Sequence, residues 1–272
     1  MDLRQSFQAA RLPIELRAIP LAWTDRRSED IVQMDIAREN DSRFHPERFR
    51  IYPGHTTNVL EVVDADRTLR QLVLRVSEAE RTFVAHVHRA ELEPGARVVG
   101  RVGDVFHVEH HTVGDDRSFL MGMDEAHLFI ALLPLHAGSI SAAHAALKPE
   151  LVAREEARGA RIVRQGEWFF IGLEEDEQRV VGDLARRSLK VLHRVGIAEA
   201  IGLHRLGRPH VAEEVMIVRG IPDARGDRGE RFYVRGMVQH PDHKTITLRG
   251  WHRTVPNLEE ITAPIPGVDY LD

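Results

Sequence analysis

The chain has 272 residues, of which 43% are hydrophobic and 29% are charged, and its formal net charge is -5. This is the composition of an ordinary globular protein that is large enough for two domains, and the charge provides no global attraction to nucleic acid or membrane. The absence of cysteine excludes disulfides, cysteine-ligated zinc and iron–sulfur clusters, and it favours a cytoplasmic location. The first residues lack a signal-peptide pattern, and no apolar run is long enough to predict a membrane span.

The first half of the sequence predicts β structure. Residues 1–27 have no sustained apolar period, and we interpret them as an extended arm with one strand near residues 14–19. Short alternating or apolar runs then recur up to Leu133 and are separated by turn formers such as Pro53-Gly54 and Pro94-Gly95. Strands at such regular spacing predict an all-β barrel or sandwich-like domain over residues 28–135.

In the second half of the sequence the spacing of apolar residues changes from that of strands to that of helices. Residues 139–158 have helical spacing that is interrupted by Pro149, which predicts one kinked helix or two short ones in a helical joint over residues 136–160. A smaller α+β domain is predicted over residues 161–272, with one long helix from about residue 175 to 200 on an antiparallel sheet. The proline-rich tail from Pro256 is expected to form no element of its own. The expected fold class is therefore α+β.

The stretch from Tyr233 to His252 predicts a β-hairpin with an unusual tip. The tip is His240-Pro241-Asp242-His243, in which proline and aspartate suit the two central positions of a turn. The first and fourth Cα atoms of a β-turn lie within about 7 Å of each other, so the two imidazoles can converge beside a carboxylate. The alternative is that Pro-Asp merely makes the turn and that both histidines are solvated.

Three further residues of the same predicted domain lie at turns or loops and complete a candidate catalytic site, namely Arg164, Glu167 and His210. In this hypothesis His240 or His243 acts as a base or a ligand, Asp242 orients it, and Arg164 or Lys244 binds an anion. The alternative is that Arg164 and Glu167 form a surface ion pair and that His210 has a structural role in its loop.

A second group of residues has the spacing of a metal site. Alternate residues of a strand share a face, so His86 and His88 point one way on one strand. The same rule groups His107, Glu109 and His111 on another strand. Nitrogen and oxygen ligands without sulfur suit a divalent transition metal such as zinc, manganese, nickel or iron. The competing interpretation is a set of exposed strand histidines.

Two histidine strings resemble a known family. His110-His111-Thr112-Val113 and His243-Lys244-Thr245-Ile246 are similar to the paired motifs of the 2H phosphoesterases, and the resemblance implies histidines that act as acid or base on a phosphodiester. The functional hypothesis is a hydrolase of a phosphoester or nucleotide-like substrate. The alternative is a non-catalytic binding or assembly module that associates with protein or nucleic acid. Partners and oligomeric state stay open.

Overall fold

The structure is a computed structural model that describes residues 2–17, 32–37, 47–53, 58–78, 81–89, 92, 94–112, 116–187, 191–203, 208–220, 229–259 and 268–271. The chain forms two compact units. The first contains residues 1–120, 138–140 and 262–271, and the second contains residues 121–137, 141–261 and 272. The domain boundaries predicted from the sequence stay a prediction.

The first unit contains one short helix and most of the predicted strands. Helix α1 (Leu3–Ala9) lies where an extended arm was expected, so that prediction is wrong for these residues. Leu3, Phe7 and Ala10 recur at helical spacing, and Phe7 packs edge-on against Phe49 with ring centroids 5.7 Å apart. The strands are β1 (Ile14–Leu16), β2 (Val32–Ala37), β3 (Arg48–Tyr52), β4 (Asn58–Asp66), β5 (Gln71–Glu78), β6 (Arg81–His88), β7 (Arg97–Val102) and β8 (Val105–Thr112).

The strands of this unit form sheets with open edges. Strands β1, β3 and β2 lie side by side, and β17 (Val268–Leu271) pairs with β2 in parallel. The tail therefore does form a strand, contrary to the expectation from its prolines. Strands β4 and β5 form an antiparallel pair, and β6, β8 and β7 form a separate three-stranded sheet. Within the described ranges no sheet closes into a barrel, so the barrel alternative is wrong there.

Strand β9 (Asp116–Asp124) runs from the first unit into the second, where β10 (His127–Leu132) follows it. Helices α2 (Ile140–Leu147) and α3 (Glu150–Ala157) come next, and Pro149 is the N-cap residue of α3. Proline lacks the amide hydrogen that a continuous helix needs at this position, which explains the interruption. Of the two predicted alternatives, the structure has the two short helices.

A six-stranded antiparallel sheet forms the centre of the second unit, in the order β11-β12-β16-β15-β14-β13. Its core contains the fully buried side chains of Trp168, Phe170 and Val234. Helix α4 (Glu175–Arg187) packs over Trp251 through Val181. The strands are β11 (Ile162–Gln165), β12 (Trp168–Gly172), β13 (Val191–Gly196), β14 (Val211–Val218), β15 (Arg231–His240) and β16 (His243–Pro256).

The predicted long helix is wrong in its second half. Helix α4 ends at Arg187, residues 191–196 form β13, and a single helical turn, α5 (Ile197–Ala200), follows. Val191 and Leu192 fit the helical stripe, but they pair with Met216 and Val215 of β14, and this tertiary pairing overrides the local pattern. Among the described residues no helix is both long and apolar enough to cross a membrane.

Candidate functional site

The hairpin tip has the geometry that the sequence predicts. His240 and His243 are directly paired residues of β15 and β16, with Pro241-Asp242 as the turn between them. The ring of His240 is held at both nitrogens: Nε2 donates to the Arg208 carbonyl oxygen at 2.9 Å, and Nδ1 accepts the amide hydrogen of Asp242 at 3.1 Å. These two bonds place the proton on Nε2 and the lone pair on Nδ1.

A third histidine joins the two at the tip. His210 directly precedes β14, whose first residue pairs with Gln239 on β15, so the sheet brings His210 beside the end of the hairpin. Its ring stacks on that of His240 with centroids 4.2 Å apart and lies 5.3 Å from that of His243. One ring nitrogen from each of the three histidines lies within 4.8 Å of the others. The cluster could therefore hold a metal ion.

Carboxylates lie beside two of the three rings. Glu167 Oε1 is 3.3 Å from Nδ1 of His210, and Asp124 Oδ2 is 3.9 Å from Nδ1 of His243. Asp242 was expected to orient a histidine through its carboxylate. In the structure this carboxylate pairs with the Arg208 guanidinium at 3.6 Å. Asp242 contributes to the site through its backbone amide, which is bonded to His240.

The β11–β12 turn brings backbone close to the cluster. Gly166 has a φ of +55°, and a β-carbon added there would lie 2.9 Å from Nε2 of His243 and 3.0 Å from Nε2 of His210. Only glycine meets both the conformation and the space at this position. Arg164 Nε donates to the Gly166 carbonyl oxygen at 2.9 Å, which keeps a cation on this turn.

Two hydrogen bonds hold the start of β16 in place. The buried Gln165 donates from Nε2 to the carbonyl oxygen of Lys244 at 2.7 Å, and the amide of Lys244 donates to Glu125 Oε2 at 2.7 Å. Both bonds go to backbone atoms, so they fix the position of the tip whatever the rotamer of the lysine. The tip is thereby attached to β11 and to the turn after β9.

The environment keeps the histidines of the tip neutral. Burial lowers the pKa of His240 and the pKa of His243, and the neighbouring His210 lowers both further. Asp124 and Glu167 act in the opposite direction on the pKa of His243, but burial is the larger effect. Neutral imidazoles carry lone pairs at pH 7, and such rings accept protons or bind metal ions.

The strand histidines of the first unit lie on two neighbouring strands, β6 and β8. His86 pairs directly with His107 across β6 and β8, and Val84 pairs with Glu109, so His86, His107 and Glu109 belong to one face. Glu109 also pairs with Arg97 at 2.5 Å, and His88 is exposed. The side chains of His86 and His111 lie outside the described residues, so a metal site here stays a prediction. The same is true of the His110 string, because Val113 and the His110 side chain are not described.

Sequence reasoning missed three residues at the cluster, namely Asp124, Glu125 and Arg208. Asp124 and Glu125 stand between two apolar strands, which indicates a turn, but nothing local shows which distant turn that segment faces. No family model, curated protein or solved structure matches this chain. The function of the site is therefore inferred from the properties of its own residues.

Proposed function

We propose that the protein is a hydrolase of phosphoesters and that His210, His240 and His243 form its reactive centre. The observation that supports this proposal is their convergence, since the hairpin tip and the segment before β14 bring three imidazoles into ring contact. Solvated turn residues have no reason to stack on a histidine that is 3% exposed. Chemistry that needs several nitrogen lone pairs at one point provides such a reason.

Each lone pair can activate a water molecule. A neutral ring nitrogen either takes the proton of the attacking water or binds a metal ion that lowers the pKa of that water. In the hydrolysis, the water oxygen forms a bond to phosphorus and the bond from phosphorus to the leaving oxygen breaks. The proton released by the water is taken up at the centre, and the leaving oxygen is protonated from the solvent.

A cation beside the cluster suits an anionic substrate. Arg164, on β11, donates to the carbonyl oxygen of Gly166, the residue that borders the His210 and His243 rings. A guanidinium often binds phosphate oxygens, so we assign the anion to Arg164. Lys244 alternates with His243 along β16, so its side chain points to the other face. We keep the cytoplasm as the proposed compartment because the chain has no cysteine.

The test is a phosphatase and phosphodiesterase screen of wild-type protein and two variants. The substrates are p-nitrophenyl phosphate, bis(p-nitrophenyl) phosphate and the 2′,3′-cyclic nucleotides, each with and without added Zn²⁺ or Mn²⁺. His243→Ala should lower kcat/KM by about 100-fold or more, because a base or metal ligand is lost. His193→Ala should have no effect, since His193 is exposed on β13 and contacts Glu214 instead.

Melting temperatures are measured beside the rates, so that loss of fold is separated from loss of function. Turnover by His243→Ala at the wild-type rate would refute the proposed centre. No turnover by the folded wild-type protein on any of these substrates would refute phosphoester hydrolysis, and it would favour a binding module.

A further inference from the structure

We infer that Nε2 of His210, Nδ1 of His240 and Nε2 of His243 together bind one divalent transition metal ion, zinc or a neighbour of zinc in the first transition row. The catalytic role of this ion rests on the proposed function. Its binding does not, because binding is measured without any substrate.

The hydrogen-bonding environment assigns the ligand atom of each ring. Metal-bound histidines usually direct their second nitrogen at a carboxylate or backbone carbonyl, which fixes the proton there and leaves the first nitrogen as ligand. Glu167 lies at Nδ1 of His210, Asp124 lies at Nδ1 of His243, and the Arg208 carbonyl accepts from Nε2 of His240. Nε2 of His240 thus has a hydrogen-bond acceptor, and the other two rings each have a carboxylate near Nδ1, which leaves Nδ1 of His240 and Nε2 of the other two rings to face the ion.

His210 carries the strongest indication of a ligand. Its ring is buried, and within the part of the chain that the structure describes neither of its nitrogens has a hydrogen-bond partner. Leaving a buried polar atom unsatisfied costs about 1–3 kcal/mol, so such atoms in proteins usually have a partner. Glu167 is close to Nδ1, and Nε2 faces the glycine turn together with Nε2 of His243. A cation bound to both Nε2 atoms would satisfy the buried ring.

His240 completes the set by giving up one hydrogen bond. Its Nδ1 lone pair accepts the amide hydrogen of Asp242 at 3.1 Å, and the ion takes the place of that hydrogen. Metal–nitrogen bonds of about 2.0–2.1 Å require tetrahedral ligand nitrogens about 3.3 Å apart, so the ion draws the three ligand nitrogens closer than 4.8 Å and tilts the His210 and His240 rings out of their stacked arrangement.

The donor set selects the class of metal. Three imidazole ligands suit zinc, cobalt, nickel or copper, whereas magnesium and calcium prefer oxygen ligands. Three protein ligands leave a fourth position for water, which is the arrangement of hydrolytic zinc sites. The nearby carboxylates of Glu167 and Asp124 favour a cation at this place and balance part of its charge.

The experiment is a titration of untagged, chelator-treated full-length protein with Co²⁺ and Zn²⁺, followed by isothermal calorimetry and by the visible absorption of bound cobalt. Wild-type protein should bind one equivalent at this site. His210→Ala should weaken binding by at least about 100-fold, and so should His240→Ala and His243→Ala separately, since each removes one of three ligands. If His210→Ala does not fold, the two tip variants decide the question.

A double variant, His86→Ala/His107→Ala, serves as the matched control, because it removes two histidines from the other cluster and should leave this equivalent intact. Absence of stoichiometric binding, or binding that is unchanged in both tip variants, would overturn the inference. Metal bound without phosphoester turnover leaves the metal site standing and refutes the proposed function. Turnover that survives complete removal of metal refutes the catalytic role of the ion and leaves the proposed function standing.

Discussion

Replacing Gly166 by alanine tests the close approach between the β11–β12 turn and the histidines. The left-handed backbone at φ +55° should cost an alanine about 1–2 kcal/mol. The new methyl group would also meet two ring nitrogens at 2.9 and 3.0 Å, and overpacking of this kind costs about 1–3 kcal/mol. We therefore expect Gly166→Ala to lower the free energy of unfolding by about 2–5 kcal/mol.

Gly202→Ala is the matched control. Gly202 belongs to the same unit and has a φ of +74°, but among the residues that the structure describes no atom lies within 4 Å of a β-carbon placed there, so only the backbone cost of about 1–2 kcal/mol is expected. Both variants are unfolded in urea, and the fluorescence of the buried Trp168 and Trp251 reports on this unit. Equal losses in the two variants would refute the argument, because the contact with the rings would then contribute nothing.

Two further predictions concern the six-stranded sheet. Burial lowers the pKa of His252, so below about pH 6.5 the unfolded chain binds a proton at this residue more readily than the folded protein does. The free energy of unfolding should therefore fall between pH 7.5 and pH 5.5. It should fall less in His252→Asn. Equal unfolding free energies at both pH values would contradict this. Gln178 donates to the Trp251 carbonyl at 2.6 Å and accepts the Trp251 amide at 3.0 Å, so Gln178→Ala should cost about 2–3 kcal/mol. Gln178→Glu keeps the acceptor but turns a carboxylate oxygen toward the Trp251 carbonyl oxygen, so it should also lose stability in the same urea assay. An unchanged stability of Gln178→Ala would show that these bonds do not hold α4.

The features that the sequence predicts correctly are those that residues within the same segment determine. The His240–His243 tip follows from Pro241-Asp242, because a proline at the second position of a turn restricts the backbone before any tertiary contact forms. The interruption between α2 and α3 follows in the same way from Pro149. In both cases the residue responsible lies inside the segment that it shapes.

The parts that sequence does not predict depend on distant partners. Asp124 is more than a hundred residues from His243, and its role arises only when the turn after β9 meets the hairpin tip. Asp242, by contrast, is next to His243 in sequence, yet its carboxylate pairs with Arg208. The end of α4 was misplaced because the apolar spacing of residues 191–195 fits a helix as well as an edge strand, and pairing with β14 decides between them.

The outer edge of the six-stranded sheet limits how the molecule can associate. Strand β13 is the last in the order, and an edge strand normally offers its free amides and carbonyls to a strand from another molecule. Arg194 in the middle of β13 has a φ of +51°. His193 and Val195 on either side of it pair with β14, whereas Arg194 has no place in that register. An incoming strand would find only Val191–His193 in continuous extended form. The left-handed residue interrupts the extended backbone of β13 and so disfavours strand addition at this edge.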